Sequence, residues 1–166
     1  MNLPEFTEGE HYRQLRGGQY RFELLVDFTL TIPQLAGHRG TISFRDHLRR
    51  EWVRIERDQY TIRAGYRWNG ASPKKWVGIG TVGVWVGTLD WEATRLASGW
   101  HDTAFQFFRV ADFPLEFVQV NEIFRDILRA SGFRRAETWH GAVRDFGKHF
   151  IGEFPEKGEH SVILPP

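Results

Sequence analysis

The sequence predicts an α+β domain in which N-terminal antiparallel strands are followed by a glycine-rich loop and three packed helices. Three observations predict it. Residues 21–32 alternate strictly between apolar and mostly polar positions, as a half-buried strand does. Three later segments between 90 and 150 carry apolar residues at helical spacing. Strands come first and helices last, without the strand-helix alternation that builds a parallel sheet. A chain of 166 residues is one ordinary domain. Within it, 20–68 is strand-rich, 69–88 is the glycine-rich loop, 90–150 is helical and 152–166 is an irregular tail.

The alternating stretch places Phe22, Leu24, Val26, Phe28, Leu30 and Ile32 on one face, and Pro33 ends it. A short strand is expected at 41–44. The charge-dense segment 45–57, whose apolar content is Trp52, Val53 and Ile55, reads as a loop followed by a strand. Tyr60, Ile62, Ala64, Tyr66 and Trp68 alternate again and deliver the chain into the turn formers Asn69-Gly70-Ala71-Ser72-Pro73. Glycines 78, 80, 83 and 87 lie among Val, Ile and Trp with no helical period, which reads as an ordered loop.

The first helix, 90–108, has the core stripe Ala93, Leu96, Ala97, Trp100, Ala104 and Phe107, and Asp90 and Glu92 at its start complement the helix dipole. The second begins at Pro114, favoured in a first turn, and runs to Ser131, with Gly132 as its stop. Its stripe is Phe117, Asn121, Phe124 and Leu128. The third, 134–150, sets Ala136, Trp139, His140, Val143, Phe146 and Phe150 on one side.

Composition removes several classes of function. There is no cysteine, hence no disulfide framework, thiolate zinc site or cysteine nucleophile, and the chain suits a reducing compartment. Residues 1–10 lack the basic and apolar regions of a signal peptide, and no apolar run is long enough to span a membrane. Lys and Arg (22) nearly balance Asp and Glu (21) for a formal charge of +1, which argues against a dedicated nucleic-acid binder. Fourteen Phe, seven Trp and four Tyr favour a well-packed core over disorder.

Motifs remove others. The histidines (11, 38, 47, 101, 140, 149, 160) show no H-E-x-x-H and no i, i+4 pair, so no metal ligands are assigned and no cofactor is expected. No G-x-S-x-G elbow is present. Residues 78–83 match G-x-G-x-x-G, but Val84-Trp85-Val86-Gly87 follow where a dinucleotide fold needs a helix. Arg45, Arg49, Arg50, Arg54 and Arg57 are interleaved with Asp46, Glu51, Glu56 and Asp58, a mixed-charge surface whose sharper alternative is a docking face for a partner.

What remains is a cleft around Asn69, His101, Asp102 and Asn121. His101 and Asp102 are neighbours on the first helix, about 100° apart around its axis, so one can face a cleft while the other flanks it. The bland alternative is a core-edge histidine beside a solvated aspartate. Asn121 stands in an apolar stripe, where a buried amide must find a partner or cost about 1–3 kcal/mol. His101 is the candidate partner if the two helices pack antiparallel; backbone or water is the alternative. Asn69, Gly70 and Ser72 of the turn can present carbonyls and a hydroxyl to the same cleft. His140 can join it or be a satisfied core histidine.

From about 60 to 148 the chain resembles a family of short bacteriophage and prophage proteins classed as a domain of unknown function. The matching pieces are the turn Trp68-Asn69-Gly70-Ala71-Ser72-Pro73, then 97–102 ending in His101-Asp102, then Asn121-Glu122-Ile123-Phe124, then Ala142-Val143-Arg144-Asp145-Phe146-Gly147. The family usually has aspartate where this chain has Asn69 and Asn121, so two carboxylates are missing from one cleft. The layout is also similar to the site plan of secreted phospholipases A. That analogy would make His101 the base, Asn121 the residue that orients it, Asp102 a calcium ligand and Asn69 to Ser72 the loop.

The resemblance implies a phage-derived accessory protein, structural or tail-associated, with a non-catalytic or degenerate His-Asp cleft. The alternative is a hydrolase acting on lipid or cell-envelope material with His101 as general base, assisted by Asp102. Its expected partners are other phage or virion proteins or further copies of the chain, and its expected location is the host cytoplasm, then the virion.

Overall fold

In the computed structural model, which describes residues 3–16, 20–46, 48–70, 75–79, 82–86, 92–108, 112–146 and 160–164, the α+β organisation holds. The alternating stretch 21–32 forms two strands rather than one. Strand β1 (Tyr12–Gln14) pairs antiparallel with β2 (Phe22–Leu24), while β3 (Phe28–Thr31) belongs to another sheet. After a 3-10 turn at Pro33–Leu35 come β4 (Thr41–Arg45), β5 (Glu51–Glu56), β6 (Gln59–Ile62) and β7 (Arg67–Trp68). The loop followed by a strand expected over 45–57 is observed.

The expected strand over 60–68 is likewise divided, and the two divisions are one feature. β3 pairs with β6 in a five-stranded sheet and β2 pairs with β7 in a three-stranded one. A single antiparallel ribbon therefore turns a corner at residues 25–27 and 63–66. The corner has its own fastenings. Asp27 accepts the Ala64 main-chain N–H at 2.8 Å and pairs with Arg63 at 2.5 Å, while the Gly65 N–H donates to the Leu24 carbonyl at 2.7 Å. Gly65 sits at φ +85°, and a Cβ there would come within 2.5 Å of the Arg50 guanidinium, so this position requires glycine.

Three helices follow: α1 (Glu92–Phe107), α2 (Phe117–Ala130) and α3 (Ala136–Phe146). The stripe expected on α1 is buried from Leu96 to Phe107 and packs on both sheets. The Trp100 ring centroid lies 5.9 Å from Tyr60, and Phe107 lies 5.3 Å from Phe44, both in the five-stranded sheet. On the other side Gly99 meets the Trp68 indole of the three-stranded sheet. Because a Cβ at Gly99 would stand 3.2 Å from the indole, Gly99→Val should lower stability by about 1–3 kcal/mol despite removing a helix-weakening glycine. Urea denaturation of the two proteins checks this.

Helix α2 begins three residues later than Pro114 would place it, because Glu116 caps it: the Glu116 N–H donates to the Gln119 side chain at 2.8 Å in a capping box. Gly132, at φ +74°, ends the following turn, and the Phe133 N–H returns to the Leu128 carbonyl at 2.9 Å. Phe133 then packs edge-on against Trp139 of α3, with ring centroids 4.8 Å apart. Helix α3 is described as far as Phe146, so residues 147–150 of its expected span lie outside the described residues.

Two expectations are corrected. Within the supposed glycine-rich loop, β8 (Lys75–Ile79) and β9 (Val82–Val86) form an antiparallel hairpin in which Gly78 faces Gly83. The β-branched and aromatic residues there outweigh the glycines, which interrupt the pattern without removing strand preference. In the supposed irregular tail, β10 (His160–Leu164) adds to the edge of the five-stranded sheet beside β4, giving the order β10-β4-β5-β6-β3. The rest of the tail, 152–159 and 165–166, lies outside the described residues.

Candidate functional site

Helix α1 presents His101 and Asp102 in two different directions, and the two halves of the expected site separate accordingly. Asp102 lines a cleft of 310 Å³ between α1 and the corner of the bent ribbon. Asn69, at the end of β7, lines it too, and its main-chain N–H donates to the Asp102 carboxyl. Burial pushes that carboxyl up to about 7, against the smaller opposing effect of the Asn69 N–H.

His101 points instead toward α2 and is not among the residues that line this cleft. Its ring centroid is 3.9 Å from Phe105 and 4.7 Å from Phe124, and its Nε2 is 3.4 Å from Asn121 Oδ1. The sequence-based pairing of His101 with Asn121 is therefore present. Asn121 is 1% exposed, and its Nδ2 has no hydrogen-bond partner among the described residues. Burial between two phenyl rings pulls the imidazole down to about 4, and the Asn121 amide recovers only part of this. The ring is neutral at pH 7.

The remaining predicted residues are spread out. Gly70 adopts φ +78°, a conformation that glycine tolerates, and does not line the cleft. Ser72 lies outside the described residues. His140 is on α3 and does not line the cleft; it adds a small contribution to the Arg144 hydrogen bond that holds the Asp145 carboxyl low. In the motif at 78–83, Gly78 belongs to β8 and Gly83 to β9, and a strand follows where a dinucleotide fold needs a helix.

Among the described residues, no three His, Asp or Glu side chains come together as a metal-binding group. Asp102, the ligand the phospholipase analogy would assign, has a carboxyl raised toward neutrality and accepts the Asn69 main-chain N–H.

The rest of the cleft wall went unrecognised in the sequence. Gln106 stands one helical turn after Asp102 on the same face of α1, a spacing that could have been read. It accepts the Tyr66 hydroxyl at 2.9 Å. Opposite them lie Tyr20, Trp52 and the charged side chains Glu23, Arg50 and Arg67. The Arg50 guanidinium covers the Trp52 ring at 4.1 Å. Burial opposes ionisation of Glu23, but hydrogen bonds from Arg13 and Arg67 outweigh it and hold the carboxyl below the usual range.

Much of the charged run 45–57 is paired inside the fold. Glu51 binds Arg54 at 3.1 Å and Arg45 at 3.8 Å, and also pairs with Arg63 from the end of β6. Burial raises the Glu51 carboxyl, yet bonds from Ser43, Arg63 and Arg54 together bring it below its ordinary value. Asp46 accepts the N–H groups of Leu48 and Arg50 and the Trp52 indole N–H, each at 2.9 Å.

No described helix is long and apolar enough to cross a membrane. No protein-family model matches the chain, and neither a curated protein nor a solved structure is significantly similar to it.

Proposed function

We propose that the chain is a phage-derived accessory protein, structural or tail-associated, whose His-Asp segment serves binding and packing rather than turnover. The observation that carries this reading is the setting of His101. It faces α2 instead of the cleft, its partner is an amide, and its pKa near 4 makes it a weak base at neutral pH. An amide orients an imidazole but cannot stabilise the imidazolium that base catalysis creates. The phage assignment rests on the resemblance of the 60–148 segment.

One observation favours a second reading, a hydrolase of lipid or envelope material: Asp102 is a cleft carboxyl poised near pH 7 beside a histidine shifted the opposite way. The wild type should release neither fatty acid from phosphatidylglycerol vesicles nor fragments from peptidoglycan. Turnover that His101→Ala abolishes while the fold persists would replace the first reading with the second. Returning a carboxylate through Asn121→Asp should raise the His101 pKa by at least about one unit, as followed by its ring signals in NMR. A ring that still titrates near 4 would mean that the missing charge is not what holds it neutral.

A further inference from the structure

We propose that the cleft over Asp102 binds a neutral carbohydrate, whose hydroxyls are held by Asp102, Gln106 and Asn69 and whose C–H face rests on the ring of Tyr20. This deepens the reading of the cleft as a binding feature and rests on it. Its 310 Å³ places it at the small end of ligand pockets, which run roughly 300–1,000 Å³, and suits a short glycan segment.

The wall chemistry selects the ligand class by its balance of charge. The Asp102 carboxyl is raised toward neutrality, Glu23 and Arg67 are tied to each other and Arg50 lies against Trp52, so an ionic ligand of either sign finds its counter-charges already engaged. Nor is the aromatic surface free to cage a cation, because Arg50 already lies 4.1 Å over Trp52. The Glu23 carboxylate is likewise engaged, by Arg13 at 2.5 Å and Arg67 at 2.9 Å. A neutral polyol does not meet these conflicts. Carboxyl and amide groups on one helical face both accept and donate, which vicinal hydroxyls require. Tyr20 is a partly exposed ring of the wall, whereas Trp52 carries Arg50 and Tyr66 and Trp68 are buried at 6% and 2% exposure. An aromatic face above polar groups matches a sugar ring, apolar on its faces and polar at its edge.

The test is calorimetric titration of the full chain with chitotriose, maltotriose and N-acetylglucosamine, with sodium phosphate and choline chloride as charged controls. At least one sugar should bind with one-to-one stoichiometry and be weakened about tenfold or more by both Asp102→Asn and Tyr20→Ala. Asp102→Asn preserves shape and Tyr20 is partly exposed, and melting curves of both variants verify the fold. The proposal is overturned if no sugar binds at about 10 mM, if both variants bind as the wild type does, or if phosphate or choline takes the site instead. Chromatography of the titrated sugar separates the two readings. Cleavage would end the non-catalytic reading and leave the carbohydrate site standing, whereas absence of sugar binding would end this proposal alone.

Discussion

Trp100→Ala should destabilise the protein by about 3–5 kcal/mol, the largest effect expected of any single truncation in the fold. Trp100 is the largest of the fully buried side chains, on the face of α1 that packs against Tyr60 of the five-stranded sheet. Truncation removes the apolar area of an indole and leaves a hole that a strand and a helix cannot close together. Its Nε1 has no hydrogen-bond partner among the described residues, so truncation breaks no hydrogen bond that would add to the loss. Loss of an unpartnered buried donor even returns some free energy, which argues for the lower half of the range. Chemical denaturation measures it, and a loss below about 1 kcal/mol would show that the α1–sheet contact does not hold the domain together. Tyr60→Phe is the useful companion. It removes only the hydroxyl bonded to Thr103 at 3.2 Å, so it should cost about 1 kcal/mol or slightly more.

The α1 stripe that makes this prediction possible was legible from spacing alone, because helical periodicity is a local property. The corner of the ribbon was not, for a definite reason. Leu24 and Phe28 flank the first bend at positions of equal parity, as Ile62 and Tyr66 flank the second, and all four are buried. Alternation therefore continues across the break, and a pattern of period two cannot register a change of sheet. The mark of the bend is Val26, which the pattern assigns to the core and which is 45% exposed. Strand β10 was hidden differently. Its partner β4 lies far earlier in the chain, and five residues without a nearby hairpin turn carry little signal of their own.

The candidate site divides along the same line. That Asn121 needs a partner follows from a polar residue in an apolar stripe, and the short connection between α1 and α2 made His101 one of the candidates, which the structure places 3.4 Å away. Which neighbour faced the cleft did not follow. A separation of about 100° says only that His101 and Asp102 differ in direction. The answer depends on the ribbon corner, which brings Gly65, Tyr66 and Arg67 over Asp102. Because the bend was invisible, so were the walls it builds. Glu23 was the available clue, since a carboxylate in mid-strand, here 8% exposed, needs cations close by and has Arg13 and Arg67.

Asp102→Asn should give stability a pH dependence that the wild type conceals. A carboxyl raised from 3.8 to about 7 makes the folded state bind a proton that the unfolded state releases, so its contribution is present below pH 3.8 and lost as pH rises through 7. An imidazole lowered from 6.5 to about 4 does the reverse: its contribution is present above 6.5 and lost as pH falls through 4. Between about pH 4 and 6.5 the two slopes are equal and opposite, each about 1.4 kcal/mol per pH unit, and they cancel. With Asp102→Asn only the histidine slope survives, so the variant should lose about 3 kcal/mol, relative to the wild type, as pH falls from about 6.5 to 4. Acid-induced changes common to both proteins drop out of the difference between the two denaturation curves. Above pH 7 the sign favours the variant, because the wild type must then bury an ionised carboxylate that the amide replaces without charge. His101→Gln supplies the mirror experiment, in which stability should fall by about 4 kcal/mol between about pH 4 and 7. If the Asp102→Asn difference stays flat across the whole range, Asp102 ionises as freely in the folded protein as in the unfolded chain. The cleft is then open to water, and its carboxyl offers a ligand an ordinary charge instead of a poised one.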